Sequence, residues 1–319
     1  MSESQHIAAR RTETLHASLS EFFLALDGGG RFVEDRWSRD GGGGGVSRVM
    51  TSGATFEKAG VNRSTVWGPL PLEVAERLGA RYPVDAGPLD FFASGVSVVA
   101  HPTSPMVPTV HFNARYFEVT SADGRMLDAW HGGGTDLTPY YPHWHDAHEF
   151  HVALHAACNR FHPTLYARFK GWCDAYFVNV HRGNEARGVG GVFYDHLRPR
   201  EDESGLGSES LFDLGAGIAE ALRSAYALIV GRRRDESFGE REVHFQRLRR
   251  GRYVEFNLVH DRGTLFGLQT GARIESVLMS LPPEARWDYG AEPAPGSREA
   301  EFMEMLAPRD WLAWTAPPR

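Results

Sequence analysis

The chain has 319 residues, 42% of them hydrophobic, which is enough to bury a sizeable core and excludes disorder over most of its length. Its two cysteines, Cys158 and Cys173, lie in neither a CxxC nor a zinc-type spacing, which points to a reducing compartment rather than a disulfide framework. The formal charge of -7 argues against a nucleic-acid binder, no apolar run approaches the roughly 18 residues of a membrane span, and no signal-peptide core opens the chain, so a cytoplasmic protein is expected.

Leu15, Leu19, Phe22, Phe23 and Leu26 recur at helical spacing and predict an amphipathic helix over about residues 4–26, broken by Gly28 to Gly30. Gly41 to Gly45 form the one low-complexity run and read as a flexible loop. A short helix is expected from Pro71 to Leu78, and strands at 91–100, 110–119 and 175–181, paired in one sheet. Between the last two, Trp144, His148, His151, His155 and Phe161 suggest a helix continuing towards Trp172. Leu211 to Ile229 form a second stripe, opened by Ser210-x-x-Asp213 and closed by Gly231. Residues 253–259 and 263–269 read as a hairpin turning at Asp261-Arg262-Gly263, and 302–306 as a last helix stopped by Pro308. With no repeat and no linker, a single α+β domain is the simplest architecture.

Strand alternation puts His111, Asn113 and Arg115 on one face and Val110, Phe112, Ala114 and Tyr116 on the other. The polar row fits either a pocket lining or an ordinary solvated sheet face. If the neighbouring strand pairs with it, Ser97 and His101 converge on His111. Asp136 follows Gly132-Gly133-Gly134, where backbone can approach a ligand; it fits a general base or a turn-capping residue. Neither glycine run is a P-loop. Fifteen histidines make a metal site conceivable, yet HExxH is absent and no ligand spacing stands out. Arg232 to Arg252 carries eight arginines against four acids and reads as a solvated helix face. An anionic substrate must therefore be met by individual cations, of which Arg115, Arg187 and Arg273 lie best placed, at a strand, a glycine-rich loop and a helix start.

The runs GGGGGVSRVM, FEKAGVN, ASGVSVVAHP, PTVHFNARYFEV, GGGTDLTPYY, HRGNEARGVGGVFYDHL, RRGRYVEFNLVHDRGTLFGLQTGAR and ESVLMSLPPEARWDY, in order from Gly41 to Tyr289, resemble the oxygen-dependent coproporphyrinogen III oxidase family. The resemblance implies a large antiparallel sheet flanked by helices, a homodimer with contacts from about residues 253–288, and oxidative decarboxylation of two propionates of coproporphyrinogen III to vinyl groups. O2 would be the co-substrate, CO2 and hydrogen peroxide the by-products, and protoporphyrinogen IX the product. It implies no flavin or haem and makes a divalent metal ion a candidate cofactor. By matching motif, Ser97, Asn113, Ala114, Arg115, Gly271, Ala272 and Arg273 would contact substrate, and Arg187 joins them as a carboxylate clamp. His101, His111, His151 and His181 would be metal ligands, with His145 the alternative to His151. His111 would also donate protons, and Asp136 is the candidate base. Two departures stand out: Ala272 replaces a usual glycine, and Met50-Thr51-Ser52-Gly53 is an unusual lead into FEKAGVN. The alternative to an enzyme is a non-catalytic tetrapyrrole- or metal-binding protein.

Overall fold

The computed structural model describes residues 1–269 and 273–315. Helix α1 (Glu3–Asp27) is held at its start by a Ser2–Gln5 capping box and at its end by left-handed Gly28. Strands β1 (Val33–Ser38), β2 (Gly43–Thr51) and β3 (Phe56–Leu70) follow, then α2 (Leu72–Arg77), β4 (Leu89–Pro102), β5 (Thr109–Ser121) and β6 (Met126–Thr138). Helices α3 (Trp144–Asn159) and α4 (Leu165–Tyr176) lead through the two-residue strands β7 (Val178–Asn179) and β8 (Glu185–Ala186) to β9 (Gly190–Leu197). The C-terminal third is helical: α5 (Ser208–Arg233), α6 (Glu240–Glu255), a π-helical turn at Phe256–His260, α7 (Arg262–Gln269), α8 (Ile274–Leu278) and α9 (Arg298–Met305).

One antiparallel sheet, ordered β1-β2-β3-β4-β5-β6-β9, organises the chain, so the expected α+β fold with a large antiparallel sheet holds. Its two faces differ chemically. Val96, Val98, Val110, Phe112, Leu137, Val192 and Tyr194 turn to one side, where they form the main core with Leu19 and Phe23 of α1, Phe150 and Leu154 of α3, and Leu214, Ile218 and Leu222 of α5. The opposite face carries Asn62, Ser97, His111, Asn113, Arg115 and Asp136 in register. Its ends are covered and its middle is open. Trp130, Phe117 and Phe91 pack beneath residues 74–86 at one end, while Ser276, Ser280 and Leu281 bond to Ser47, Asn62, His101 and Lys58 at the other.

Several expectations fail for identifiable reasons. Gly43 to Gly45 lie in β2 rather than in a flexible loop: Gly42 and Gly43 turn the chain at positive φ, and a side chain at Gly45 would strike the Trp37 indole. The strand at 175–181 is instead the end of α4 and a two-residue strand in a second small sheet. The helix from Trp144 breaks at residues 160–164, where Pro163 supplies no N–H donor. Helix α5 begins at Gly207, one turn before the expected Ser210 cap, and runs through Gly231. By length and composition α5 could cross a membrane, but most of its apolar window is buried in the fold. Both arms of the expected hairpin, 253–259 and 263–269, are helical, with only Asp261 extended between them, because the apolar residues Tyr253 and Phe256 dock as one helix face. Arg249 and Arg250 of α6 are buried rather than solvated, paired with Glu185 and Glu57.

Candidate active site

The open band of the polar face is floored by residues that lie opposite one another. Ser97 pairs with Asn113 and Asn113 with Gly134, Gly95 pairs with Arg115 and Arg115 with Gly132, and His111 lies between Val99 and Asp136. Two of the glycines leave room that matters. A Cβ at Gly132 would come within 2.7 Å of Arg115 Nε, so the guanidinium lies flat on bare backbone there. Gly134 has φ +148° and its missing side chain lets β9 approach. Arg115, about a third exposed, reaches Asp195 Oδ1 at 2.8 Å and Asn113 Oδ1 at 3.2 Å. Sequence reasoning gave no role to Asp195 or to Arg262, which lies 3.4 Å from its other oxygen; neither falls in a recognisable local pattern.

Asp136 occupies the floor beside His111 and is fully buried. Arg187 Nη2 donates to its two oxygens at 2.6 and 2.7 Å, and His111 Nδ1 lies 2.9 Å from Oδ1. Burial alone would raise this carboxyl, but the Arg187 charge and the His111 bond outweigh it and hold it below the usual carboxylate range. Arg187 is itself buried, its guanidinium within 4.1, 4.6 and 4.8 Å of the Phe177, Tyr253 and Phe256 rings. It is therefore committed to Asp136 and to this cage, and is not free to clamp a substrate carboxylate. Asp136, in turn, lies within a strand rather than at a turn, with both oxygens engaged, and is a weak base. His111 is the partly exposed member, and among the described residues no group bonds its Nε2.

The remaining expected site residues are dispersed. Ser97 and Asn113 line the band, whereas the Ala114 side chain points to the core face, near Gly215. Arg273 caps α8 and pairs with Asp35 at the sheet edge; Gly271 and Ala272 lie outside the described residues.

The four histidines do not form a metal donor set. His101 is buried with Nδ1 at 3.1 Å from Thr109 Oγ1 and Nε2 at 2.9 Å from the Ser280 carbonyl. His151 lies in the core on the other side of the sheet, stacked on Trp311, its nitrogens bonded to Tyr166 and to the Val189 carbonyl. His181 is exposed, 2.7 Å from His260 and 2.9 Å from Glu255. Among the described residues the one compact donor cluster is His145, Asp146 and Glu149, whose carboxylates already pair with Arg232 and Arg233.

A partly exposed imidazole on a polar sheet face, oriented by a buried and charge-compensated carboxylate, is an arrangement able to accept and donate protons. The comparisons agree with that chemistry and narrow it. Residues 8–311 match the family model of coproporphyrinogen III oxidase. The oxygen-dependent coproporphyrinogen-III oxidase of Glycine max, a chloroplastic protein, is 49% identical over 294 residues, covering 90% of this chain and 74% of that one. Those of Synechococcus and Drosophila melanogaster are each 48% identical, covering 98% and 92% of this chain and 88% and 75% of their own lengths. The chain belongs to the coproporphyrinogen III oxidase family, a family of oxidoreductases.

Proposed function

We propose that the cleft on the polar sheet face binds coproporphyrinogen III and converts two of its propionates to vinyl groups with O2, yielding protoporphyrinogen IX. The observation that carries the reading is the His111–Asp136–Arg187 array beneath an open floor of small and polar residues, in a chain of this family. For each side chain, the bond to the carboxylate breaks, CO2 leaves and one β-hydrogen departs. O2 accepts two electrons and two protons to become hydrogen peroxide, one proton being the departed hydrogen and the other taken from solution. Reduced pyrroles are electron-rich, so removal of a pyrrole N–H proton lets the substrate itself react with O2.

His111 Nε2 faces that task better than Asp136 does, so the base and the later proton donor are assigned to His111. Asp136 fixes its orientation and stabilises its protonated form, and Arg187 keeps Asp136 ionised. Arg115 and Asn113, with Ser97, hold a propionate and the pyrrole edge; Arg115 exchanges Asp195 for the incoming carboxylate. No step is routed through a metal: among the described residues His101, His151 and His181 are bonded on both ring nitrogens, which leaves His111 Nε2 as the one open imidazole donor of the four. Loading the protein anaerobically with coproporphyrinogen III and then admitting O2 tests the reading: vinyl product and CO2 should form only after O2. Product formed equally well without O2 would exclude it.

A homodimer using residues 253–288 accords with the exposure of Val259 and Trp287, each more than half accessible, and of Leu258, Leu268 and Ile274 nearby. Sedimentation should give twice the chain mass. A cytoplasmic location is inferred from the two unpaired, buried cysteines alone.

A further inference from the structure

Strand β9 carries one residue too many where it passes the cleft. His131 pairs with Leu197 and Gly133 with Tyr194, so Gly132 faces two residues, Asp195 and His196. Tyr194 and Leu197 both keep their places in the main core, and the extra residue is absorbed at His196, which lies in the left-handed region at φ +51°. A bulge of this kind re-aims a side chain. Strained backbone persists only where its surroundings hold it, and here the His196 ring stacks on Trp130 and donates from Nε2 to the Leu78 carbonyl at 2.6 Å.

What the bulge aims is the Asp195 carboxylate. The His196 amide donates to its Oδ1 at 2.9 Å. Across Gly132 the same oxygen meets Arg115 Nη2 at 2.8 Å, while Oδ2 lies 3.4 Å from Arg262 Nη2. Burial opposes its charge, but Arg115 first, then His196 and Arg262, hold it below the ordinary carboxylate range. One mostly buried carboxylate is thus shared by two guanidinium groups, of which Arg115 is about a third exposed and Arg262 more than half. A substrate carboxylate that seeks Arg115 needs the same donors, so it competes with Asp195 for them.

The reaction changes the ligand's side of that competition. Each propionate converted to vinyl takes a proton from solution and gives CO2 and hydrogen peroxide, so the macrocycle loses one negative charge per side chain. A guanidinium that held the lost carboxylate then needs another partner, and Asp195 is the one at hand.

We propose that Asp195 is an internal stand-in for a substrate propionate. It pairs with Arg115 and Arg262 in the empty site, yields them to the incoming carboxylate, and takes them back once that carboxylate has left as CO2, which speeds exit of the vinyl product. The inference rests on the oxidase reading above and gives it a release step. Asp195→Asn keeps the shape of the side chain and removes its charge. It should bind coproporphyrin III, the air-stable tetracarboxylate, several-fold more tightly than the unmodified protein does. With coproporphyrinogen III and O2 its kcat should fall because product leaves slowly, seen as a burst of vinyl product ahead of the steady rate. A residue that only braces Arg115 predicts the opposite sign, so weaker or unchanged binding, or no burst, overturns the proposal. Crystals of the unmodified protein with coproporphyrin III decide it without a substitution: a propionate on Arg115, with Asp195 parted from it, is expected, and an Arg115–Asp195 pair still closed beside the bound ligand overturns it. The binding and crystal readouts need no turnover, so they fail separately from the oxidase reading, which absence of O2-dependent CO2 release from the unmodified protein would strike.

Discussion

Asp136 holds Arg187 and His111 at once, and this makes the two ends of the array respond differently to substitution. Removing one partner of a buried ion pair costs about 3–5 kcal/mol, because the other charge is left without compensation. Asp136→Ala and Arg187→Ala should therefore lower the denaturant midpoint as well as activity, and loss of turnover in them does not identify a base. His111→Gln leaves the pair intact. It should keep the denaturant midpoint and lower kcat by roughly 10²- to 10⁴-fold, the usual worth of a positioned proton-transfer group. At this scale the row His111, Asn113, Arg115 was legible from strand alternation alone, and its facing of Ser97 followed once the two strands paired. The commitment of Arg187 was not, since its partner is 51 residues away and the cage rings come from the residue after α4, from α6 and from the π-helical turn.

Strands β4 and β5 declare themselves by continuous apolar alternation, whereas β6 hides in Gly132-Gly133-Gly134, a composition that reads as loop. Those glycines are in the strand because the floor needs them bare. Gly132→Val should push Arg115 off the sheet and weaken a charged hydrogen bond worth roughly 1.5–3 kcal/mol. KM for coproporphyrinogen III should then rise by about 10- to 100-fold, with little change in kcat. The stretch 253–269 misleads in the other direction: its β-branched and aromatic residues suit a hairpin by propensity. Packing of Tyr253 and Phe256 against Arg187 overrides that preference and makes it helix. Gly60 offers a check on the cover at the other end, because a Cβ there would lie 2.3 Å from Met279 Sδ. Gly60→Val should loosen the 274–281 segment, read as faster amide exchange at Ser276 and Met279.

Over the whole molecule, the buried histidines govern acid stability. His131 and His151 are held neutral down to about 3 by burial, and burial with the nearby Arg250 charge puts His101 well below its ordinary value. Each titrates at 6.5 when unfolded, so the unfolded chain takes up their protons first. Stability should be complete above about pH 6.5 and fall towards pH 3, by up to about 1.4 kcal/mol per histidine per pH unit. Asp136, whose pKa is lowered from 3.8 by Arg187 and His111, adds its own loss only below about pH 4, where the unfolded chain's carboxyl takes up its proton first. Denaturant titrations at pH 7.0 and pH 5.5 check this: the midpoint should drop clearly, and an unchanged midpoint would contradict the burial of these rings. The class of fold, and which residues share the polar face of the sheet, were readable from the sequence. The fate of its histidines was not, because spacing cannot tell a ligand from a core ring bonded on both nitrogens.

The central claim is that His111 moves the protons of an O2-dependent decarboxylation, and single turnover tests it most directly. His111→Gln protein loaded anaerobically with coproporphyrinogen III should bind it as the unmodified protein does. On mixing with O2 it should release CO2 and vinyl product far more slowly. Turnover at the unmodified rate would contradict the account.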